Sequence, residues 1–240
     1  PSDTTVTLTV HREGVAQPFD VTITRRRIDI EEVTWRMVDG DIAYIRLTEF
    51  SANADEDLQA SLREIRAANP SGIILDLRGN PGGLLDVALS VTSEFLDSGE
   101  RLRTYNAERG GLATEIPLVI LVDGGSASAS ELLAGALHDH GRATLVGSRT
   151  YGKGTVQTWH DLSDGGGLRI TIARWLTPSG HWIHGNGIEP DIYVAWPVPV
   201  RSDGAADPEL AAAIRVMRGQ SNWPTWPLSW LDAVSIAPVR

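Results

Sequence analysis

The 240-residue sequence contains no cysteine, which excludes disulfides, a thiol nucleophile and zinc held by cysteine. Basic residues are outnumbered, at 21 against 31 acidic ones, and the net charge of -10 argues against nucleic acid as the main partner. Long apolar runs are also missing. The longest, residues 117–122, has the length of a strand and is far shorter than the roughly 20 residues of a membrane helix. What is present is an ordinary globular balance of 42% hydrophobic and 22% charged residues.

The chain begins at Pro1, without an initiating methionine or a recognisable signal peptide. These absences predict a fragment or a processed form whose targeting information lay upstream. The length is sufficient to bury one large core with small additions.

The first 27 residues predict a separate β-hairpin. Apolar residues alternate with polar ones in residues 4–10 and again in residues 19–24, and Glu13-Gly14 lies between them as a turn. Arg25-Arg26-Arg27 follows and is expected to mark a domain border.

From about residue 29 onward, buried strands alternate with helices. The pattern predicts strands at 41–50, 73–77, 118–122 and 144–147, and helices at 55–69, 84–96 and 128–140. Such alternation predicts an α/β fold with a mixed, largely parallel sheet that helices cover on both faces.

After Lys153 the sequence becomes strand-rich. Residues 155–160 and 168–176 predict a hairpin around the glycines of 164–167, and residues 208–218 predict a short helix. Residues 222–240 contain three Trp and three Pro and are too apolar for a free linker, so we expect them to pack against this protein or a partner.

The first candidate for chemistry is the turn Ser126-Ala127-Ser128-Ala129-Ser130-Glu131, which follows a buried strand and opens a helix. Sites of α/β proteins lie at such positions. Ser128 could act there as a nucleophile, and the N–H of Ala129 at the helix N-terminus could hold an oxyanion. Ser128-x-x-Glu131 is also the pattern of a capping box, and this segment alone favours the cap.

The second candidate is Lys153, 25 positions after Ser128, in Tyr151-Gly152-Lys153-Gly154-Thr155-Val156-Gln157. A lysine acts as a general base only in its neutral form, which burial or nearby positive charge favours. The flanking glycines allow close packing, which a solvated surface lysine does not need. Together the serine and the lysine suggest a nucleophile and its base.

The third candidate is the glycine turn Gly79-Asn80-Pro81-Gly82-Gly83 after a buried strand. Its N–H groups could form an anion nest, and Gly82 or Gly83 could supply a second oxyanion donor. An ordinary strand-to-helix loop is the alternative.

Two other patterns are weaker. Gly147-x-x-x-x-Gly152-Lys153 nearly matches a phosphate-binding P-loop, but Gly154 replaces the required Ser or Thr and a strand follows, so we predict no nucleotide. In His138-Asp139-His140, His138 lies roughly 15 Å from Ser128 along the predicted helix, which disfavours a Ser-His-Asp triad. His181-x-x-His184 has metal-like spacing without an obvious third ligand, so we predict no metal and no other cofactor.

Four segments, taken together and in this order, resemble the carboxyl-terminal processing proteases, the Ser/Lys peptidase family S41 that includes the tail-specific proteases. They are residues 76–83, 126–131, 141–143 and 151–157. The resemblance covers about residues 1–200 and implies a ClpP/crotonase-like protease core at 28–200. It also implies that residues 1–27 are the last hairpin of a truncated PDZ domain, while the tail 201–240 matches nothing in the family.

The resemblance also implies roles for individual residues. Ser128 would be the nucleophile and Lys153 its base, with Gln157 orienting the lysine. On a strand, positions 153 and 157 point to one face, which suits that role. Ala129 with Gly82 or Gly83 would form the oxyanion hole. The further matching position, Asp139, would support the site structurally.

The implied activity is a serine endopeptidase that cleaves near the C-terminus of protein substrates through an acyl-enzyme. The implied partners are proteins or peptides with apolar C-terminal tails, in the periplasm or cell envelope, and a homo-oligomer or an adaptor protein is left open. The alternatives are a catalytically silent member of the fold that binds peptides or serves as a scaffold, and an esterase. The intact Ser128, Lys153 and Gln157 favour the active enzyme over a silent one.

Overall fold

The structure, a computed structural model, describes residues 1–27, 31–97, 101–102, 105–107, 110–194 and 207–220. The chain divides into two compact units, Pro1–Glu31 and Glu32–Arg240. The first unit is the predicted hairpin, in which β1 (Thr5–Val10) pairs antiparallel with β2 (Phe19–Thr24). The unit ends at Glu31, four residues beyond the predicted border. Its assignment to a PDZ domain stays a prediction.

The second unit is built on a six-stranded sheet with the order β12-β9-β8-β5-β4-β3. Its strands are β3 (Val33–Val38), β4 (Ile42–Leu47), β5 (Gly72–Asp76), β8 (Leu118–Val122), β9 (Thr144–Gly147) and β12 (Ile192–Tyr193). β3 pairs antiparallel with β4, and every other pairing in this sheet is parallel. The predicted mixed, largely parallel sheet is therefore confirmed.

Helices cover both faces of the sheet. They are α1 (Ala54–Ala67), α2 (Leu85–Ser93), α3 (Ala129–Asp139) and α4 (Pro208–Met217). Helices α1, α2 and α3 pack with Ile73 and Leu75, whereas α4 packs with Ile74 on the opposite face. Because side chains alternate along a strand, this apolar run of β5 serves two separate cores. Parallel strands that are buried on both faces place their carboxyl ends at one edge, where the candidate residues lie.

Two small two-stranded sheets complete the description. β6 (Arg101–Leu102) pairs with β7 (Tyr105–Asn106), and β10 (Thr155–Asp161) pairs with β11 (Gly167–Arg174). The second is the predicted hairpin after Lys153. Within the described ranges, no helix is long and apolar enough to cross a membrane. The Trp-rich segment 222–240 lies outside the described residues.

Candidate active site

The turn that carries Ser128 begins where β8 ends, and Asp123 organises it. Asp123 Oδ1 accepts hydrogen bonds from the N–H groups of Gly125 at 2.9 Å and Ser126 at 3.1 Å. The same oxygen accepts the Gly79 N–H at 2.8 Å, from the turn after β5. One carboxylate therefore joins the ends of two neighbouring strands.

Ser128 lies directly before α3 with a φ of 57° and a ψ of -112°, outside the conformations that non-glycine residues ordinarily adopt. Strain of this kind costs of order 1–3 kcal/mol and persists only where the surroundings enforce it. Here the Ser128 N–H donates to Glu131 Oε2 at 2.9 Å, the pairing of a capping box. The predicted cap is thus present, and the half-buried serine is at the same time held in a fixed turn.

The turn of residues 79–83 packs directly onto Ser128. A Cβ on Gly82 would lie 2.7 Å from Ala127 O and 2.8 Å from both Ala129 N and Ser128 Cβ, so only glycine fits. Asn80 connects the two turns, because its carbonyl accepts hydrogen bonds from the Ala127 N–H at 3.0 Å and from the Ser130 hydroxyl at 2.9 Å.

The two glycines differ in what their N–H groups do. The Gly82 N–H donates to Asn80 Oδ1 at 2.9 Å and is therefore occupied. Neither Gly83 N–H nor Ala129 N–H has a hydrogen-bond partner among the described residues. Of the two predicted glycines, Gly83 is the better candidate for an oxyanion donor beside Ala129.

Glu131 connects Ser128 with Lys153. Its fully buried carboxylate accepts Thr150 Oγ1 and the Gly152 N–H on Oε1, both at 2.6 Å. On Oε2 it accepts the Lys153 N–H at 2.8 Å, beside the Ser128 N–H. Two amides that share one oxygen lie within about 6 Å of each other. The residues 25 positions apart in sequence therefore meet in the fold.

The other side of Lys153 is held by Trp175, whose Nε1 donates to the Lys153 carbonyl at 3.0 Å. The flanking glycines are required, since a Cβ on Gly152 would lie 2.7 Å from Gly187 N and one on Gly154 2.9 Å from His184 N. The half-buried Lys153 forms no ion pair within the described part of the chain. It is also the single lysine among 21 basic residues, and arginine cannot serve as a base because it stays protonated.

Sequence reasoning recognised Glu131 only as a helix cap, because its other three partners follow 19 to 22 positions later. The structure also shows why residues 147–153 only resemble a P-loop. The N–H groups of Gly152 and Lys153, which would have to face a phosphate, face a carboxylate instead, and β10 rather than a helix follows.

Gln157 does not meet the geometric expectation. Lys153 lies two residues before β10 begins at Thr155, so the two-residue period of a strand does not relate positions 153 and 157. The exposed Gln157 side chain donates to Thr171 Oγ1 at 3.4 Å. Its role toward Lys153 stays a prediction.

Asp139 lies at the far end of α3 from Ser128. It accepts the Ser179 N–H at 2.8 Å and hydroxyl at 2.6 Å. Burial would raise the pKa of Asp139, but hydrogen bonds from Ser179 and Thr177 outweigh it and lower that pKa. In this structure Asp139 supports the loop around Ser179 and is remote from Ser128.

The histidines do not form a metal site or a triad with Ser128. His138 Nε2 lies 3.0 Å from Asp191 Oδ1, and the rings of His184 and Trp182 stack at 5.5 Å. Among the residues that the structure describes, no three His, Asp or Glu side chains are grouped so that they could hold a metal ion.

A charged cluster lies at the end of β5. The fully buried Asp76 accepts hydrogen bonds from Tyr44 Oη at 2.6 Å and Arg78 Nη2 at 2.7 Å, and Arg46 Nη1 lies at 3.0 Å. Burial alone would raise the pKa of Asp76, but Arg78 and Tyr44 lower it. Asp76 is therefore a carboxylate that fixes Arg78 directly before the glycine turn.

Comparisons with known proteins identify one family. The pattern of peptidase family S41 matches residues 41–194. The carboxy-terminal-processing protease of Bartonella bacilliformis is 46% identical over 218 residues, which cover 85% of this chain and 50% of that protein. The carboxyl-terminal-processing protease of Synechocystis is 39% identical over 233 residues, which cover 91% of this chain and 55% of that protein.

Among solved structures, a photosystem II D1 C-terminal processing protease aligns with a TM-score of 0.65 and 33% identity. The alignment covers 80% of this chain and 56% of that one. The chain thus spans about half the length of the curated relatives it matches.

Proposed function

Because this chain belongs to peptidase family S41, we propose that it is the catalytic part of a serine endopeptidase that cleaves proteins near their C-terminus. The observation that carries the proposal is the shared carboxylate oxygen of Glu131, which holds the backbones of Ser128 and Lys153 side by side. Covalent catalysis requires a nucleophile and a base within hydrogen-bond reach, and backbones held side by side allow the two side chains to approach each other.

In the proposed reaction, Ser128 Oγ attacks the peptide carbonyl carbon while neutral Lys153 accepts the hydroxyl proton. The tetrahedral oxyanion then receives hydrogen bonds from the N–H groups of Ala129 and Gly83. Its collapse breaks the C–N bond, and the Lys153 ammonium protonates the leaving amine. Water attacks the resulting ester with Lys153 again as base, which releases the acid and restores Ser128.

Gln157 is proposed to orient Lys153, as the family resemblance implies. Its present hydrogen bond to Thr171 is long, at 3.4 Å, and is therefore weak and easily exchanged. Asp139 is proposed to act only on the stability of the loop it supports.

The exposed hairpin after Lys153 suits an apolar peptide. Leu168, Ile170 and Ile172 lie in β11 and are 48%, 42% and 62% exposed. Both β10 and β11 have an edge that no described strand pairs, and an extended substrate can add to such an edge. This supports protein substrates with apolar C-terminal tails.

Further parts of the proposal rest on the family resemblance alone. They are a PDZ origin for residues 1–27, an extracytoplasmic location in the periplasm or cell envelope, and a homo-oligomer or an adaptor protein as a partner. Labelling of the protein in fractionated cells and a sedimentation measurement test the last two.

The test of the function is cleavage of peptides with apolar C-terminal residues, followed by mass spectrometry. We expect cleavage by the wild type and a loss of at least about 1,000-fold in Ser128→Ala and in Lys153→Arg, which keeps charge but cannot accept a proton. Ser93→Ala is the control, since the Ser93 hydroxyl donates to the Leu89 carbonyl within α2 and lies outside these turns. Equal cleavage by Ser128→Ala, or none by the wild type, contradicts the proposal.

A further inference from the structure

The charged cluster at the end of β5 is completed by the other end of the chain. Arg78 Nη1 donates to Asp207 Oδ1 at 3.0 Å and to Glu209 Oε2 at 2.7 Å. Arg78 Nη2 donates to Asp207 Oδ2 at 2.7 Å, so that Asp207 is bound through both oxygens. These partners follow Arg78 by 129 and 131 positions, at the start of α4.

Helix α4 lies outside the region that matches the family, which ends at residue 194. It is nevertheless firmly placed. Ala212 and Ala213 are fully buried in the second core, and Arg218 at the far end pairs with Asp39 and Asp41. Ion pairs therefore hold α4 at both ends, and only the first end contacts the residue that precedes the glycine turn.

Arg78 is connected to the candidate oxyanion hole through the backbone. Its N–H donates to Asp76 Oδ1 at 2.9 Å, and its carbonyl accepts Arg46 Nη2 at 2.9 Å. The next residue, Gly79, donates to Asp123, which also binds the turn before Ser128. A displacement of Arg78 is therefore transmitted to both turns.

From these contacts we infer that α4 positions the oxyanion turn. Asp207 and Glu209 act through Arg78 to hold residues 79–83 against Ser128. They are positioning residues that touch neither the substrate nor the reacting atoms. The kinetic part of this inference rests on the proposed function, whereas the structural part does not.

The charges of the cluster allow the inference to be tested with conservative substitutions. The carboxylates of Asp76, Asp207 and Glu209 face two guanidinium groups, those of Arg46 and Arg78, so one negative charge is in excess. Burial raises the pKa of Glu209 although Arg78 opposes the shift. Of the three carboxylates, Glu209 is therefore the one whose charged form is least favoured. Glu209→Gln removes that charge and keeps the shape of the side chain. Asp207→Asn keeps a residue type that caps helices well.

The experiment compares two double variants, each of which removes the ion pairs at one end of α4. Asp207→Asn with Glu209→Gln removes the charged partners of Arg78 at the start of α4 and leaves Asp76 in place, and Asp39→Asn with Asp41→Asn removes those of Arg218 as the matched control. Amide hydrogen exchange of Gly79, Asn80 and Gly82, whose N–H groups are hydrogen-bonded, is measured first. We expect it to rise about tenfold or more in the first variant and to stay unchanged in the control. Exchange that is unchanged in both variants, or that rises equally in both, overturns the inference.

Kinetics provide the second measurement, because a helix that only stabilises the fold would not lower kcat while leaving KM unchanged. We expect the first variant to lose about tenfold in kcat and in affinity for a peptidyl boronic acid, with KM unchanged. An equal loss in the control, or a change in KM alone, contradicts the inference. If the wild type cleaves no peptide, the proposed function fails, and hydrogen exchange still decides whether α4 holds the turn.

Discussion

The two sides of Lys153 are built differently. Toward the N-terminus, Glu131 and the close packing of Gly152 fix the backbone beside the turn that carries Ser128. Toward the C-terminus, β10 and β11 are exposed along almost their whole length. We call residues 79–83, 126–131 and 150–153 the frame, and β10 with β11 the hairpin.

This difference suggests that the frame and the hairpin have separate tasks within one site. The frame satisfies its turns with buried hydrogen bonds, so its groups are held before any substrate arrives, as electrostatic catalysis requires. The hairpin leaves apolar side chains and strand edges exposed, so it is suited to contact a substrate. Changes in the frame should therefore lower kcat, and changes in the hairpin should raise KM.

The largest effect is expected from a methyl group in the frame. Gly82→Ala places a Cβ against Ala127 O and Ala129 N at a positive φ of 100°. The shift that this forces should lower kcat about 100-fold or more, because the oxyanion donors move. Gly165→Ala in the hairpin turn is the control, since its φ of 84° imposes a similar strain but nothing lies within 4 Å of the new Cβ. Peptide cleavage rates of both variants check the prediction, which fails if the two lose equally.

The next effect is expected from Glu131→Gln. The amide keeps one acceptor oxygen but presents an NH2 group to N–H donors, so two of the four hydrogen bonds are lost. We expect about 10- to 100-fold slower phosphonylation of Ser128 by a fluorophosphonate, and a loss of about 1–3 kcal/mol in the free energy of unfolding.

The control for this variant is Glu94→Gln. Glu94 is also a buried acid that accepts a backbone N–H, from Leu112 at 2.9 Å, but it lies outside the frame. Glu94→Gln should lower the free energy of unfolding without slowing the phosphonylation of Ser128. If phosphonylation slows equally in both variants, Glu131 acts only on folding.

A smaller effect is expected in the hairpin. Ile172→Thr removes an apolar contact for the substrate while keeping the β-branched shape that favours a strand. KM for peptides with apolar tails should rise a few-fold, with kcat and thermal stability unchanged. Leu8→Thr, at a comparably exposed strand position of the first hairpin, should change neither constant. A fall in kcat with an unchanged KM would show that the hairpin belongs to the frame.

The smallest effect is expected from Asp139→Asn, which should lower the free energy of unfolding by about 1 kcal/mol at neutral pH and leave kcat unchanged. The pKa of Asp139 is lowered in the folded protein, so its contribution is present above the unfolded value, about 3.9, and is lost as pH falls through the folded pKa. Urea denaturation at pH 7 and near pH 2.5 checks this. A difference that stays the same at both pH values contradicts it.

The fold was largely predictable because its elements have local signals. The continuous apolar runs of β5 and β8 and the spacing of Leu58, Leu62 and Ile65 in α1 identified a covered parallel sheet. β3 was missed because it is an edge strand that is only half buried. The candidate pair was also predictable, since Ser128 and Lys153 each carry a glycine-rich context.

The connections within the site were not predictable, because they depend on contacts between distant residues. Glu131 meets Lys153 only once α3 and the loop after β9 are packed. Arg78 binds Asp207 and Glu209, which follow it by more than a hundred positions in the sequence. The Gln157 geometry depends on where β10 begins, two residues after Lys153, which no local pattern indicates.

The central claim is that Ser128 is a nucleophile because the frame holds the single lysine beside it. The most direct test treats the chain with a fluorophosphonate and locates the adduct by peptide mass spectrometry. We predict one adduct, on Ser128 in the wild type, and labelling at least about 100-fold slower in Lys153→Arg. An adduct on another residue, or labelling of Lys153→Arg at the wild-type rate, would contradict the claim.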